Sequence, residues 1–356
     1  MATISLCLIA KNEGHRLDNC LSTFGQVVDE IILVDTGSTD NTKEVAKKYG
    51  AKIFDQEWHN DFSEARNLSF SKATCDYIMW ADCDDILKDE DIKKLNELKP
   101  KMDKDYYSMW YNYRHDENGK CTYAFVRDRI VKRINGYYWD CAIHEALNVW
   151  GSHENCNIII THTSNHDNGQ KYIKFFEERM EKGFKLLPRE KYYYGGECFV
   201  FGQYDKCINI LESFVEDNYN GIYENKRTRD YLGKCYKIKK NYYKSLENYL
   251  QYMKYDKPTH NVIFEIADCC YNLNRIEESI FYYKIVVDNN FPIDNTTKID
   301  PTSTIIKSCL QLCVLLFKQG NISESIKYNE IAYKLDSNNK LVLYNKKYFE
   351  SLENNN

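Results

Sequence analysis

From residue 4 to residue 81, short β-rich runs alternate with helical stretches of about ten residues, and this alternation limits what the chain can fold into more than any other feature. The runs cover 4–10, 30–35, 52–54 and 77–81; the helical stretches cover 13–24, 39–49 and 62–72. Strands joined through helices cannot pair as tight hairpins, so the pattern predicts βαβ units and a mostly parallel sheet. Sheets of this kind bind ligands beyond the carboxyl ends of their strands. Polar groups collect at those ends. The first run leads into Ala10-Lys11-Asn12-Glu13, the second into VDTGSTDNT (34–42), and the apolar YIMWA (77–81) stops at Asp82, Cys83, Asp84 and Asp85.

From about residue 168 the strands give way to helix. FGQYDKCINILE (201–212), KKNYYKSLENYL (239–250), LNRIEESIFYYK (273–284) and KQGNISESIKYNE (318–330) each pair a turn with an amphipathic helix. The first two intervals are close to 35 residues and the third is stretched by an insert at 291–304. A period near 34 built from helix pairs is the mark of tetratricopeptide-like repeats, against the plainer expectation of a generic bundle. The expected organisation is an α/β domain over 1–167 and a helical repeat domain over 168–356, consistent with a length of 356 residues.

Several function classes are disfavoured. A net charge of −5, from 48 basic and 53 acidic residues, gives no broad field for nucleic acid or anionic membrane. The first ten residues have no basic leader, so no signal peptide is expected, and no apolar run is long enough to span a bilayer. The 14 cysteines are scattered through element interiors without a C-x-x-C pair, as expected of buried thiols in a reducing cytoplasm and not of a structural zinc site.

Neither G-x-G-x-x-G nor a P-loop occurs, so phosphates must be held without a glycine-rich nest. A divalent cation is the natural substitute. Carboxylates two apart after a strand can turn hard oxygens to one side and hold Mn²⁺ or Mg²⁺. The competing expectation is that Asp84 and Asp85 only cap a helix starting near Lys88.

ISLCLIAKNE, DEIILVDTGSTDNT, DFSEARNLSFSKA and YIMWADCDD, in that order and spacing, resemble the donor-binding half of family 2 glycosyltransferases with a GT-A fold, of the subgroup with tetratricopeptide-like C-terminal repeats that includes peptide and bacteriocin glycosyltransferases. The resemblance implies that Asp35 accepts a hydrogen bond from the nucleobase, usually uracil. It places Ala10, Lys11, Asn12 and Glu13 along the uridine pocket and Arg66 near the nucleotide, against the alternative of a surface salt bridge to Asp61 or Glu64. It assigns Asp82 and Cys83 to the donor, and Asp82 and Asp84 to the metal, with Asp85 adjacent to the choice. His162, ending NIIITH, resembles a histidine that completes the metal shell, and His144 is the alternative.

Transfer of a glycosyl group also needs a base on the acceptor. YYWDCAIHEAL (137–147) resembles the acceptor-side H-E element, which makes Glu145 the candidate base and Asp140 the runner-up; a helix start at His144-Glu145 and a core role for Trp139 are the plainer alternatives. By resemblance the reaction is inverting. The expected activity is metal-dependent transfer of a hexose or N-acetylhexosamine from a UDP-sugar to a protein, peptide or glycan, with the repeats recruiting the acceptor or forming a homodimer. The alternative from another class is a repeat-based interaction protein whose first domain binds nucleotide-sugar without turnover. A sugar nucleotidyltransferase would carry a glycine-rich signature, which LCLIAKNEG lacks. Residues 106–133 hold no firm motif.

Overall fold

The computed structural model describes residues 1–116, 119–164, 169–289, 291 and 301–353. The chain forms two compact units, Met1–Glu190 and Lys191–Asn356. The sequence pattern changes earlier, at 167/168. The difference includes helix α5 (Gly169–Glu181), which is fastened within the first unit by an ion pair and a hydrogen bond: Arg179 reaches Asp61 at 3.1 Å and Glu178 accepts from Asn60 at 2.5 Å.

The first unit runs β1 (Ile4–Ala10), α1 (Gly14–Phe24), β2 (Glu30–Asp35), α2 (Thr42–Lys48), β3 (Lys52–Asp55), α3 (Phe62–Lys72) and β4 (Tyr77–Trp80). It continues with β5 (Asp85–Leu87), α4 (Asp89–Leu98), β6 (Tyr106–His115), β7 (Cys121–Lys132), β8 (Tyr138–Asp140), β9 (Ala146–Asn148) and β10 (His153–His162) before α5. Eight strands form one sheet in the order β3-β2-β1-β4-β7-β6-β10-β5, and β8 pairs with β9 in a separate ribbon. The first four strands are parallel; β7 enters antiparallel between β4 and β6, β10 is parallel to β6, and β5 is antiparallel at the edge. Successive residues of β1 point to opposite faces, and both faces are covered. Ile4, Leu6 and Leu8 enter one core with Leu17, Leu21 and Phe24 of α1, while Cys7 enters the other with Ile32, Ile78 and Trp80. Parallel direction brings the loops after β1, β2 and β4 to one end of the sheet.

In the second unit, which begins within α6 (Pro188–Val200), the helices are α7 (Tyr204–Glu216), α8 (Ile222–Ile238), α9 (Tyr242–Tyr252), α10 (His260–Asn272), α11 (Ile276–Asp288), α12 (Thr302–Lys318), α13 (Ile322–Leu335) and α14 (Lys340–Glu353). Each repeated phrase turns through a left-handed residue two positions before its helix: Gly202, Lys240, Asn274 and Gly320, with φ between 59° and 80°. Five positions further on stand Cys207, Ser245, Ser279 and Ser325, all fully buried. Ser245 Oγ donates to Gly233 O and Ser325 Oγ to Cys313 O, so a small residue marks the place where each helix packs closest to the one before. A Cβ on Gly233 would lie 2.7 Å from the Tyr249 ring, which shows how tight that approach is. This repeated geometry makes the unit tetratricopeptide-like. Of the Tyr-rich segments, Tyr192, Tyr194, Tyr249 and Tyr252 are buried packing residues, whereas Tyr243 is exposed. All 14 cysteines are free thiols. Among the described residues no helix is long and apolar enough to cross a membrane.

Candidate active site

The loops after β1 and β2 are fastened to each other. Asn12, in the left-handed region at φ 58°, donates its N–H to Ser38 Oγ at 2.9 Å and accepts from Thr39 N at 2.7 Å. Glu13 N donates to Thr42 Oγ1 and Gly14 N to Asp40 Oδ2. Gly14 permits this contact, since a Cβ there would meet Asn41 Oδ1 at 2.0 Å. The Ala10 carbonyl is occupied by Thr36, through N–H and hydroxyl. Lys11 and Asn12 remain exposed.

Asp35 closes β2 with 1% exposure. Its Oδ1 accepts from Gly37 N and Ser38 N, both at 2.9 Å, and lies 3.7 Å from Lys43 Nζ. Its Oδ2 is buried with no hydrogen-bond partner. A buried carboxylate oxygen left without a donor is costly, and a ligand N–H removes that cost.

At the end of β4 the carboxylates diverge. Asp82 Oδ1 accepts from Arg66 Nη2 at 2.6 Å, and Arg66 Nε donates to Glu145 Oε1 at 2.8 Å, so one buried guanidinium joins both. Neither Asp61 nor Glu64 takes it: Asp61 caps α3 by accepting from Glu64 N. The Arg66 guanidinium also packs 4.8 Å from the ring centroids of both Trp80 and Trp139, which supports a delocalised cation out of water. Burial pushes Asp82 up, but Arg66 and Arg129 outweigh it and hold the carboxyl at about 2. Trp139 is core, as its plainer reading has it, and Asn67 binds its main chain on both sides.

Asp84, Asp85 and His162 bring one ligand atom each within 4.8 Å of one another. Asp85 is fully buried and already engaged: Tyr111 OH donates to Oδ1 at 2.9 Å, while Arg129 Nη1 and Asp82 N donate to Oδ2 at 3.0 Å each. Asp84 is freer. Its Oδ1 lies 3.3 Å from His162 Nδ1, its Oδ2 accepts from Ser164 Oγ, and its carbonyl is held by Thr163. Burial lowers the His162 pKa, but Asp84 and Asp85 outweigh it and raise it to about 9, so in the bare chain a proton on His162 balances the two carboxylates. Burial pushes Asp84 up, but His162 and Ser164 outweigh it and draw its carboxyl below the ordinary value. A divalent cation could take over that proton's role, and oxygen donors joined by an imidazole suit such an ion. Neither aspartate caps a helix, because the next helix, α4, begins after Lys88 without a side-chain cap.

His144 stands apart from this group, packed on Tyr172 at 5.0 Å. No helix starts there: Cys141 and His144 have positive φ, 67° and 57°, around the turn that delivers Glu145. The Cys83 thiol donates to Ile9 O and burial raises its pKa strongly, which leaves only its main chain to face a ligand. Asp140 is exposed and its Oδ1 accepts from Cys141 N. Sequence reasoning missed Tyr111, Arg127, Arg129 and Ser164; the only local signal for the arginines is RDR within an apolar strand pattern.

An α/β sheet with a carboxylate–histidine group at its strand ends, followed by tetratricopeptide-like repeats, defines a GT-A class architecture. Residues 5–142, all within the first unit, match the model of glycosyl transferase family 2. A TPR repeat-containing protein of Synechococcus elongatus is 40% identical over 103 residues, 29% of this chain and 25% of the relative. The SPbeta prophage-derived glycosyltransferase SunS of Bacillus subtilis is 34% identical over 98 residues, 27% of this chain and 23% of that one. Glycosyltransferase GlyG of Streptococcus pneumoniae is 30% identical over 156 residues, covering 41% and 49%. The matched segments thus span about a quarter of the length of the first two relatives.

Proposed function

We propose that the protein is a metal-dependent glycosyltransferase that moves a hexose or N-acetylhexosamine from a UDP-sugar to a protein, peptide or glycan acceptor, with inversion. The observation that carries this reading is the Asp84–His162 pair, beside Asp85, next to the Asp82–Arg66–Glu145 bridge. Asp84 and His162 would hold Mn²⁺ or Mg²⁺, with Asp85 orienting them from behind, since its own oxygens are committed. A bound divalent cation supplies Lewis-acid neutralisation of the diphosphate.

The remaining work falls to the chain. Asp35 Oδ2 takes the N–H of the base, while the loop bearing Lys11, Asn12 and Glu13 lines the nucleoside. Asp82, fixed by Arg66, faces the ribose side. Glu145 is the proposed base: Arg66 fixes its Oε1, and its Oε2 has no hydrogen bond among the described residues, free to take the acceptor proton. The repeats are proposed to recruit a polypeptide or glycan acceptor, or to pair two copies of the chain.

The competing reading is a repeat protein that binds nucleotide-sugar without turnover, and one screen separates them. UDP- and GDP-sugars are incubated with the full chain in Mn²⁺ and in excess EDTA, and release of nucleoside diphosphate is followed. Slow hydrolysis of a UDP-sugar only in Mn²⁺ is expected. Binding without hydrolysis of any donor would favour the interaction protein.

A further inference from the structure

One cation beside the carboxylates has no role in this scheme. The Trp80 ring has three guanidinium groups against it: Arg129 at 3.9 Å, Arg66 at 4.8 Å and Arg127 at 5.5 Å from the centroid. Two are committed, Arg66 to Asp82 and Glu145, Arg129 to Asp85. Arg127 is half-buried, and its guanidinium makes no hydrogen bond or ion pair among the described residues. Ring faces hold it instead, with Phe125 at 5.5 Å and Tyr111 at 5.9 Å. The Tyr111 hydroxyl in turn bonds Asp85 and lies 3.0 Å from His162 Nδ1. An arginine left over on a surface would swing into water; this one is fixed by three aromatic side chains on the carboxylate side of the sheet. Its field reaches Asp82, where it helps to keep the carboxyl ionised.

Charge counting gives it a purpose. Asp82, Asp84, Asp85 and Glu145 outnumber the two committed guanidinium groups, Arg66 and Arg129, and among the described residues Arg127 is the one further cation packed against them that no carboxylate holds. With a divalent cation at Asp84 and His162, the three arginines and the ion exceed the four carboxylates by one positive charge, so the cluster is set to receive an anion next to its metal-binding end. Pre-oriented positive charge where negative charge develops is the arrangement that lowers a barrier most.

We infer that Arg127 contacts the substrate, binding the terminal phosphate of a nucleoside diphosphate and holding it as the leaving group departs; the inference rests on the donor reading above. In the step it serves, the bond between the anomeric carbon and the phosphate oxygen breaks with its electron pair staying on that oxygen. The acceptor oxygen bonds to the carbon and its proton passes to Glu145. Arg127 stays protonated throughout and gives only hydrogen bonds.

The test is calorimetric titration of the full chain, in Mn²⁺, with UDP and separately with uridine, for wild type, Arg127→Met and Arg127→Lys. Methionine keeps the packing of the stem without the charge; lysine keeps the charge without the fork. Arg127→Met is expected to weaken UDP by about 10- to 100-fold and uridine by less than about twofold. Arg127→Lys is expected to lose several-fold on UDP alone. Should Arg127→Met fail to fold, the lysine variant decides by itself. Wild-type UDP affinity in the folded variants, or an equal loss on both ligands, overturns the assignment. A wild type that binds neither ligand instead sinks the donor reading, and this assignment with it.

Discussion

Arg66 reaches two carboxylates at once, and that decides what each can do. Asp82 becomes a fixed anion, while Glu145 is turned by one oxygen and left with the other. Replacing Glu145 by Gln preserves an oxygen for Arg66 but removes the proposed base. The variant should bind UDP like wild type and lose transfer by roughly 10²–10⁴-fold. Asp35→Ala should do the opposite and weaken UDP itself, because it deletes the buried Oδ2. Paired titration and transfer assays check both; near-normal transfer by Glu145→Gln would move the base to Asp140. At this scale the sequence was informative where a residue violates its local pattern, as three carboxylates after YIMWA do. It left open whether Asp84 or Asp85 would be the main ligand, because Arg129 and Tyr111, which engage the buried Asp85, are distant in sequence and meet it only across the sheet.

Glu30 shows how the elements that carry the site are held at their other end. Its carboxylate accepts from Ser5 of β1, Lys52 of β3 and Thr74 before β4, so one side chain at the start of β2 ties four adjacent strands. Burial would raise its pKa, yet these bonds lower it from 4.5 to about 2. A carboxyl depressed in the folded state stabilises above its unfolded value and loses that contribution as pH falls through the folded one. Glu30→Gln should therefore cost roughly 1–3 kcal/mol at pH 7. The gap from wild type should shrink between about pH 4.5 and pH 2, read as melting temperature against pH. A gap that stays constant with pH would contradict this. The βαβ half was legible because apolar runs and helical periods alternate cleanly. The β6–β7 hairpin was not: Tyr-rich strands with Trp110, Tyr123 and Val126 exposed do not alternate apolar with polar, and their pairing is set by neighbours β4 and β10.

As a whole the molecule joins a sheet that gathers charge at one end to a helical unit built on a repeated small-residue contact. The repeats could be read in advance because each phrase must supply a left-handed turn and a small buried residue at a fixed offset, whereas the limit of the first unit depends on an ion pair and a hydrogen bond of α5 that no local pattern reports. In the proposed function the strand-end charge holds a metal and, through it, a nucleoside diphosphate. The most direct measurement is calorimetric binding of UDP to the full chain in Mn²⁺ and in excess EDTA, for wild type and Asp84→Ala. The account predicts binding at least about tenfold tighter in Mn²⁺ for wild type, from the loss of a charge-assisted contact, and no such dependence in the variant. Equal UDP affinity in EDTA and Mn²⁺, or full metal dependence retained by Asp84→Ala, would contradict it.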